Sequence, residues 1–540
     1  MQKDFNYKLR NEMEKITITN FRKVRETWEL ELAPITFLTG TNNSGKSSVL
    51  KALMLIDDFG SSKNHFTLKF NGKNSRNHKI DCFTNAINRS NLKEKNYDIK
   101  FSIENKNYII DYVFYPFEDN DGKFDKGRLK QMLFTSKDDG SICAIGNMAH
   151  DEYLLTIDNS FIYGKYQEDD SFKENDELDT FKKFKAEIEN DLNENESILK
   201  KLDLTSNDRI YYLNVVKSLK DKLKDVNKRI KNIDTKIAKD KLQFNPTFKL
   251  SELDGLESID RVLRRVLLKY FRENDKNLGL TNANKEMFKV SMLADNILDS
   301  LNLNIKHLTP NRNTQTRLYI NESGNNDIYE LIKVHSENSI DKKSNAAKFL
   351  KGWMQRFDIG EDYRIKEIEG LASIIEIKEN GDWINLVDKG FGAGQIFTVL
   401  LRVATVINER YVSGNESRHR RFRNANPVIL IEEPEANLHP AFQSKLAEFF
   451  FEAWKEFSIQ FIIETHSEYI IRKSQILFLE YSNPPENAYP AMRIMHNPFI
   501  VYYFDKDGPY TMEMDNAGKF INDFGSGFFD EARKLTRKLL

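Results

Sequence analysis

The stretch Gly40-Thr41-Asn42-Asn43-Ser44-Gly45-Lys46-Ser47 constrains this chain more than any other. It fits the pattern G-x-x-x-x-G-K-[ST] and follows the apolar run Ile35-Thr36-Phe37-Leu38, as a loop joining a strand to a helix must. Its glycines let the backbone curl. Successive N–H groups of Gly40, Asn42, Asn43, Ser44 and Gly45, continued by Lys46, Ser47 and Ser48 at the helix start, can then point at phosphate oxygens. The Lys46 ammonium is expected to reach the β- and γ-phosphates of a nucleotide, and the Ser47 hydroxyl to ligate Mg²⁺.

A second constellation lies far downstream. Ile429-Leu430-Ile431-Glu432-Glu433-Pro434 sets two adjacent carboxylates after an apolar strand, at the carboxyl end where α/β sheets hold ligands. The first, Glu432, is expected to hold the metal, and the second, Glu433, to orient or deprotonate the attacking water. The strand Ile459-Gln460-Phe461-Ile462-Ile463 follows and ends in Glu464-Thr465-His466-Ser467. That placement brings His466 to the same sheet edge, as a γ-phosphate contact.

Together the phosphate loop, the Glu-Glu-Pro strand, Ala436-Asn437-Leu438-His439-Pro440 and Thr465-His466-Ser467 resemble the head of an ABC-type ATPase of the SMC, RecF and OLD-like branch. Within it the chain resembles AAA-family ATPases of bacterial phage-defence systems, such as the PtuA-like ATPases of Septu systems. This resemblance covers the first 60 or so residues and most of 305–540. It implies an ATP hydrolase whose site is completed when two heads meet, so a homodimer or higher even-numbered oligomer is expected. An effector nuclease is the implied partner in anti-phage defence, and a RecF- or SMC-like role in DNA repair or chromosome maintenance is the alternative. By position, Asn437 and His439 fall in the D-loop that crosses the head interface, and His466 is the switch histidine. Gly390-Phe391-Gly392-Ala393-Gly394-Gln395 resembles the LSGGQ signature without its serine, so Gly392, Gly394 and Gln395 are expected to cap a partner's nucleotide. The family's glutamine loop cannot be located, because no glutamine follows Leu55 until Gln131.

The rest of the chain supplies the frame. Alternation through Ile16, Ile18, Leu30 and Leu32, and again from Ile99 to Phe114 around Asn105–Asn107, reads as antiparallel strands. Arg364 to Ile384 reads as two strands joined by Asn380-Gly381, followed by a helix from about Gln395 to Glu409. Strands alternating with helices argue for a mainly parallel α/β core, and the resemblance implies an α/β fold of the ABC-type P-loop head kind with a mixed sheet. From Tyr212 through Val216, Leu219, Leu223, Val226, Ile230 and Ile233 to Ile237, apolar residues recur at heptad spacing. With the helix upstream they predict an inserted antiparallel helical hairpin, a coiled coil over 171–245, that either projects as an arm or packs on the head. It divides an N-terminal lobe (1–170) from a helical connector (246–304) and a C-terminal lobe (305–540).

With 81 basic and 82 acidic residues in 540, any affinity for nucleic acid must come from a local patch. Arg418-His419-Arg420-Arg421-Phe422-Arg423 is the densest basic run, open to reading as such a patch or as a solvated loop, and Arg312 is open to a nucleotide or nucleic-acid contact or a structural ion pair. Two cysteines, Cys82 and Cys143, exclude a disulfide framework and fit a reducing compartment. No apolar run approaches the length of a membrane span, so a cytoplasmic protein is expected. No nuclease centre is legible; Asp505-Lys506-Asp507-Gly508 reads as a hairpin turn rather than a pair of metal ligands.

Overall fold

The computed structural model describes residues 12–540 apart from 118–124, 139, 141, 150, 159–169, 202–206, 241–242, 254–256, 275–279, 311–315, 321–326, 413–425, 483–496, 526–527 and 540. Arg312 and the basic run 418–423 therefore lie outside the described residues. Two units are distinguished: Met1–Met132, Leu256–Arg261 and Asp295–Leu540 form the first, Leu133–Gly255 and Val262–Ala294 the second.

The first unit opens with β1 (Met13–Phe21) and β2 (Val24–Glu31), an antiparallel pair that buries Ile16, Ile18 and Leu30 on one face. After it come β3 (Ile35–Gly40) and α1 (Lys46–Gly60), then β4 (Ile99–Asn105) and β5 (Tyr108–Phe117). The Asn105 side chain closes the β4–β5 turn by accepting from the N–H groups of Asn107 and Tyr108. Pairing of β1 with both β2 and β4 gives the order β5-β4-β1-β2.

The second unit contains the antiparallel pair β6 (Ile142–Ala149) and β7 (Glu152–Asp158), and the long helices α2 (Asp170–Lys201) and α3 (Asn207–Asp240). These helices run antiparallel: Lys220 pairs with Glu196 at 2.8 Å, and further along Arg229 lies over the Phe181 ring. Among the α3 residues whose burial is described, the heptad positions Val216, Leu219, Leu223, Val226 and Ile230 are shielded, and apart from Val215 the rest are exposed. Covering by the partner helix is what the 4-3 spacing demands.

Back in the first unit, β8 (Ile305–Leu308) and α4 (Asp327–Glu337) precede three strands, β9 (Asp362–Ile368), β10 (Ala372–Glu379) and β11 (Asp382–Asn385). The sequence pattern predicts only two. Glu369 and Gly370 both adopt positive φ and make a first tight turn, ahead of the expected one at Asn380 and Gly381. Next come α5 (Phe391–Val412), β12 (Val428–Glu432), α6 (Pro440–Phe457), β13 (Gln460–Glu464), α7 (Glu468–Ser482), β14 (Phe499–Phe504) and β15 (Pro509–Thr511). Helix α5 corrects one expectation: Phe391–Arg410 is apolar enough over 20 residues to match a membrane span. It is mostly buried, and Phe397, Leu401 and Ala404 belong to the core.

The central sheet runs β8-β12-β13-β3-β14-β15, parallel except for the hairpin strand β15. Its strands are continuous apolar runs because both faces are covered, and in parallel strands the connections must cross over through helices. The Asp505–Gly508 segment is the β14–β15 turn, with the Asp507 N–H donating to the Asp505 carboxylate at 2.8 Å. The final helix (Glu531–Leu539) follows Phe528 and Phe529, which pack against the core, and its Leu535 is exposed.

Candidate nucleotide site

Register puts the chemistry at one edge. In the parallel ladder Glu432 pairs with Glu464, Glu464 with Leu38, and Gly40 with Phe504, so the carboxyl ends of β12, β13, β3 and β14 are flush. At this edge the loop from Gly40 to Lys46 closes. Gly40 has φ 128°, and a Cβ there would meet the Phe504 carbonyl oxygen at 2.1 Å. Gly45 has φ 111°, and a Cβ would lie 2.5 Å from the Trp28 ring. Both positions therefore exclude side chains by space as well as by conformation. The Lys46 ammonium donates to the carbonyls of Thr41 at 2.8 Å and Gly40 at 3.3 Å, and Ser44 Oγ donates to Thr41 O.

Ser47 Oγ donates to Glu464 Oε2 at 3.0 Å, and Lys46 Nζ lies 3.9 Å from Glu464 Oε1. The structure thus sets Glu464 beside the phosphate-loop serine, where Glu432 was expected. Glu432 is one strand further on and accepts from His307 Nε2 at 2.8 Å. The next residue, Glu433, takes φ 45° and donates its N–H to the Glu464 carbonyl at 2.7 Å. That backbone bond ties the ends of β12 and β13 together, and Ala436 N–H then donates to the Glu433 carbonyl to start the turn that follows.

The charges at this edge are crowded. Burial, and then repulsion from Glu432, push the Glu464 carboxyl up to about 7. Burial also lowers the Lys46 ammonium, against the attraction of Glu464 and Glu433. His466 is held below the ordinary imidazole range by burial and then by Lys46, and its backbone N–H donates to Glu435 Oε1 at 2.6 Å. A serine hydroxyl on Glu464, with Glu432 repelling that carboxyl from the next strand, is an all-oxygen donor set suited to Mg²⁺. Among the described residues no three His, Cys, Asp or Glu converge as a metal cage. Mg²⁺ needs none, since it binds through one or two carboxylates, waters and substrate phosphates.

The other expected residues are dispersed. Asn437 is exposed at φ 62°, and the His439 ring caps α6 by accepting from Ala441 N–H, a structural task. Gly392 lies against the Asn437 carbonyl, which a Cβ would approach to 3.2 Å. Helix α5 starts at Phe391, four residues earlier than expected, so Gly392 and Gly394 lie within its first turn. The Gly394 N–H is directed to the Gly390 carbonyl at 3.4 Å, and Gln395 is 1% exposed. Of the three signature-like residues, Gly392 retains the free N–H position of a helix N-terminus, whereas Gln395 is shut inside this chain. Sequence reasoning missed Glu464 and His307 as members of the site. A carboxylate closing an apolar strand was the available signal for Glu464; for His307 only the strand register reveals the pairing.

The family model described as AAA ATPase domain matches residues 12–471. No curated protein matches the chain. Among solved structures, the Smc head domain of Pyrococcus furiosus bound to the C-terminal domain of ScpA is 12% identical, with 98% of this chain and 99% of that chain covered and a TM-score of 0.30. The SMC head domain of Thermotoga maritima is 9% identical, with coverages of 93% and 99% and a TM-score of 0.31. The recombination mediator RecF is 10% identical, with coverages of 94% and 99% and a TM-score of 0.29. With the family model spanning the phosphate loop, the carboxylate pair and His466, the chain belongs to the AAA ATPase domain family.

Proposed function

We propose that this chain binds Mg·ATP at the carboxyl edge of its central sheet and hydrolyses it when a second copy closes over the nucleotide. The observation that carries this reading is the gathering of Lys46, Ser47, Glu432, Glu433 and Glu464 at the flush ends of β3, β12 and β13. The loop N–H groups and Lys46 hold the phosphates, and Ser47 with Glu464 and Glu432 would hold the metal, which would supply charge neutralisation to the phosphates. Glu433 orients water toward the γ-phosphorus. As the new P–O bond forms, the bond to the β,γ-bridging oxygen breaks and the water proton passes toward Glu433. Exposed Asn437 and the adjoining Gly392 give a surface through which a second head reaches the γ-phosphate.

In this reading head closure is the output, and it controls an effector nuclease in anti-phage defence, as the motif resemblance suggests. Glu433→Gln keeps ATP but stalls turnover, so it accumulates the closed state. In sedimentation velocity this variant doubles in mass with Mg·ATP, and Lys46→Ala does not. A mass that ignores ATP in both variants contradicts nucleotide-driven pairing.

A further inference from the structure

Strand β8 runs beside β12, and His307 pairs with Leu430, two residues before Glu432. Its Nε2 lies 2.8 Å from Glu432 Oε1, and 1% of the imidazole is exposed against 19% of the glutamate side chain. Ring atom Nδ1 has no hydrogen-bond partner among the described residues. A ring with an acceptor at Nε2 and none at Nδ1 carries its proton on Nε2, because a proton on Nδ1 would leave a buried N–H unmade. His307 is therefore a fixed donor aimed at one oxygen of Glu432.

The strand that holds the ring is itself pinned. Two residues on, Thr309 donates its N–H and its hydroxyl to Asp327 Oδ2 at 2.7 and 2.9 Å. Asp327 opens α4, and one turn later Glu330 pairs with the buried Arg402 of α5 at 3.2 Å. The position of the ring is thus set by α4 and α5 as well as by the sheet. None of this is required for phosphate binding, and a buried apolar side chain would fill the same space with no polar atom to satisfy.

We propose that His307 is a positioning residue: its Nε2–H fixes the Glu432 carboxylate in the orientation that binds the Mg²⁺ of Mg·ATP, and so sets the metal affinity of the site. This rests on the reading of Glu432 as a metal-holding carboxylate. Outer partners of metal-holding groups typically matter by about 10- to 100-fold in metal affinity.

The test uses the full chain as parent, His307→Leu, His307→Asn, His307→Gln and Glu432→Gln. A fluorescent ATP analogue is titrated in EDTA and across a Mg²⁺ series, with Mn²⁺ resonance as a direct metal readout. His307→Leu and His307→Asn, whose amide falls short of Glu432, are expected to match the parent in EDTA yet need roughly tenfold or more Mg²⁺ to reach the metal-dependent gain. His307→Gln, whose amide reaches where Nε2 lies, stays close to the parent. A parental Mg²⁺ midpoint in both the Leu and Asn variants overturns the inference. So does equal weakening with and without metal, or failure of both to fold, since either makes the ring merely structural. If Glu432→Gln also keeps the parental midpoint, the reading of Glu432 has failed; if it shifts while the His307 variants do not, the His307 inference alone has failed.

Discussion

Glu464→Gln should stabilise the nucleotide-free protein, and only above a defined pH. In the fold the Glu464 carboxyl is held at about 7, against 4.5 when free, by burial first and by Glu432 second. The folded state therefore keeps this proton while the unfolded chain gives it up. Stability from this group is full below pH 4.5 and falls as pH rises, until both states are ionised above about 7. A tenfold change in proton affinity is worth ~1.4 kcal/mol, so the loss across that window is about 3 kcal/mol. Glutamine keeps the Ser47 contact and carries no charge, so the variant escapes this loss. Urea unfolding of parent and variant without nucleotide or metal, repeated from pH 5 to pH 8, should show curves that separate by about 3 kcal/mol as pH rises. Parallel pH profiles would refute the idea that crowded carboxylates at this edge oppose one another.

Two further outcomes follow from the architecture. Replacing residues 172–243 by a short Gly/Ser linker should leave a folded, ATP-binding protein with altered oligomeric mass or partner binding; global unfolding in circular dichroism would show that α2 and α3 belong to the core. Purified chain with Mg²⁺ or Mn²⁺ and ATP should leave plasmid, linear DNA and RNA intact on gels, because Asp505 and Asp507 form a hairpin turn. Cleavage abolished by Asp505→Ala would contradict this.

The legible parts of the site were those in which one short segment carries both motif and context. The loop from Gly40 to Ser47 and the pair Glu432-Glu433 each follow an apolar strand, so local sequence fixes their place at the carboxyl edge. Which carboxylate meets Ser47 depends instead on strand order. Because β13 intervenes between β12 and β3, Glu464 is nearer the loop than Glu432, and no local pattern records that order. The pairing of His307 with Glu432 was hidden for the same reason: 125 residues separate partners that only the β8–β12 register brings together. The early start of α5 escaped because glycines argue against helix, yet Gly390 at φ 86° makes the turn and releases the helix immediately after it. The heptads of α3 were readable because a two-helix seam needs only period and length.

The most direct test of the central claim is the steady-state rate of phosphate release from saturating Mg·ATP by the parent chain and by Glu433→Gln, with nucleotide occupancy measured in parallel. An ATPase that uses Glu433 on the attacking water predicts a parent that turns over and a variant that stays occupied but is slowed by about 10²- to 10⁴-fold. Lys46→Ala should lose occupancy itself. A parental rate in Glu433→Gln at full occupancy would contradict the account.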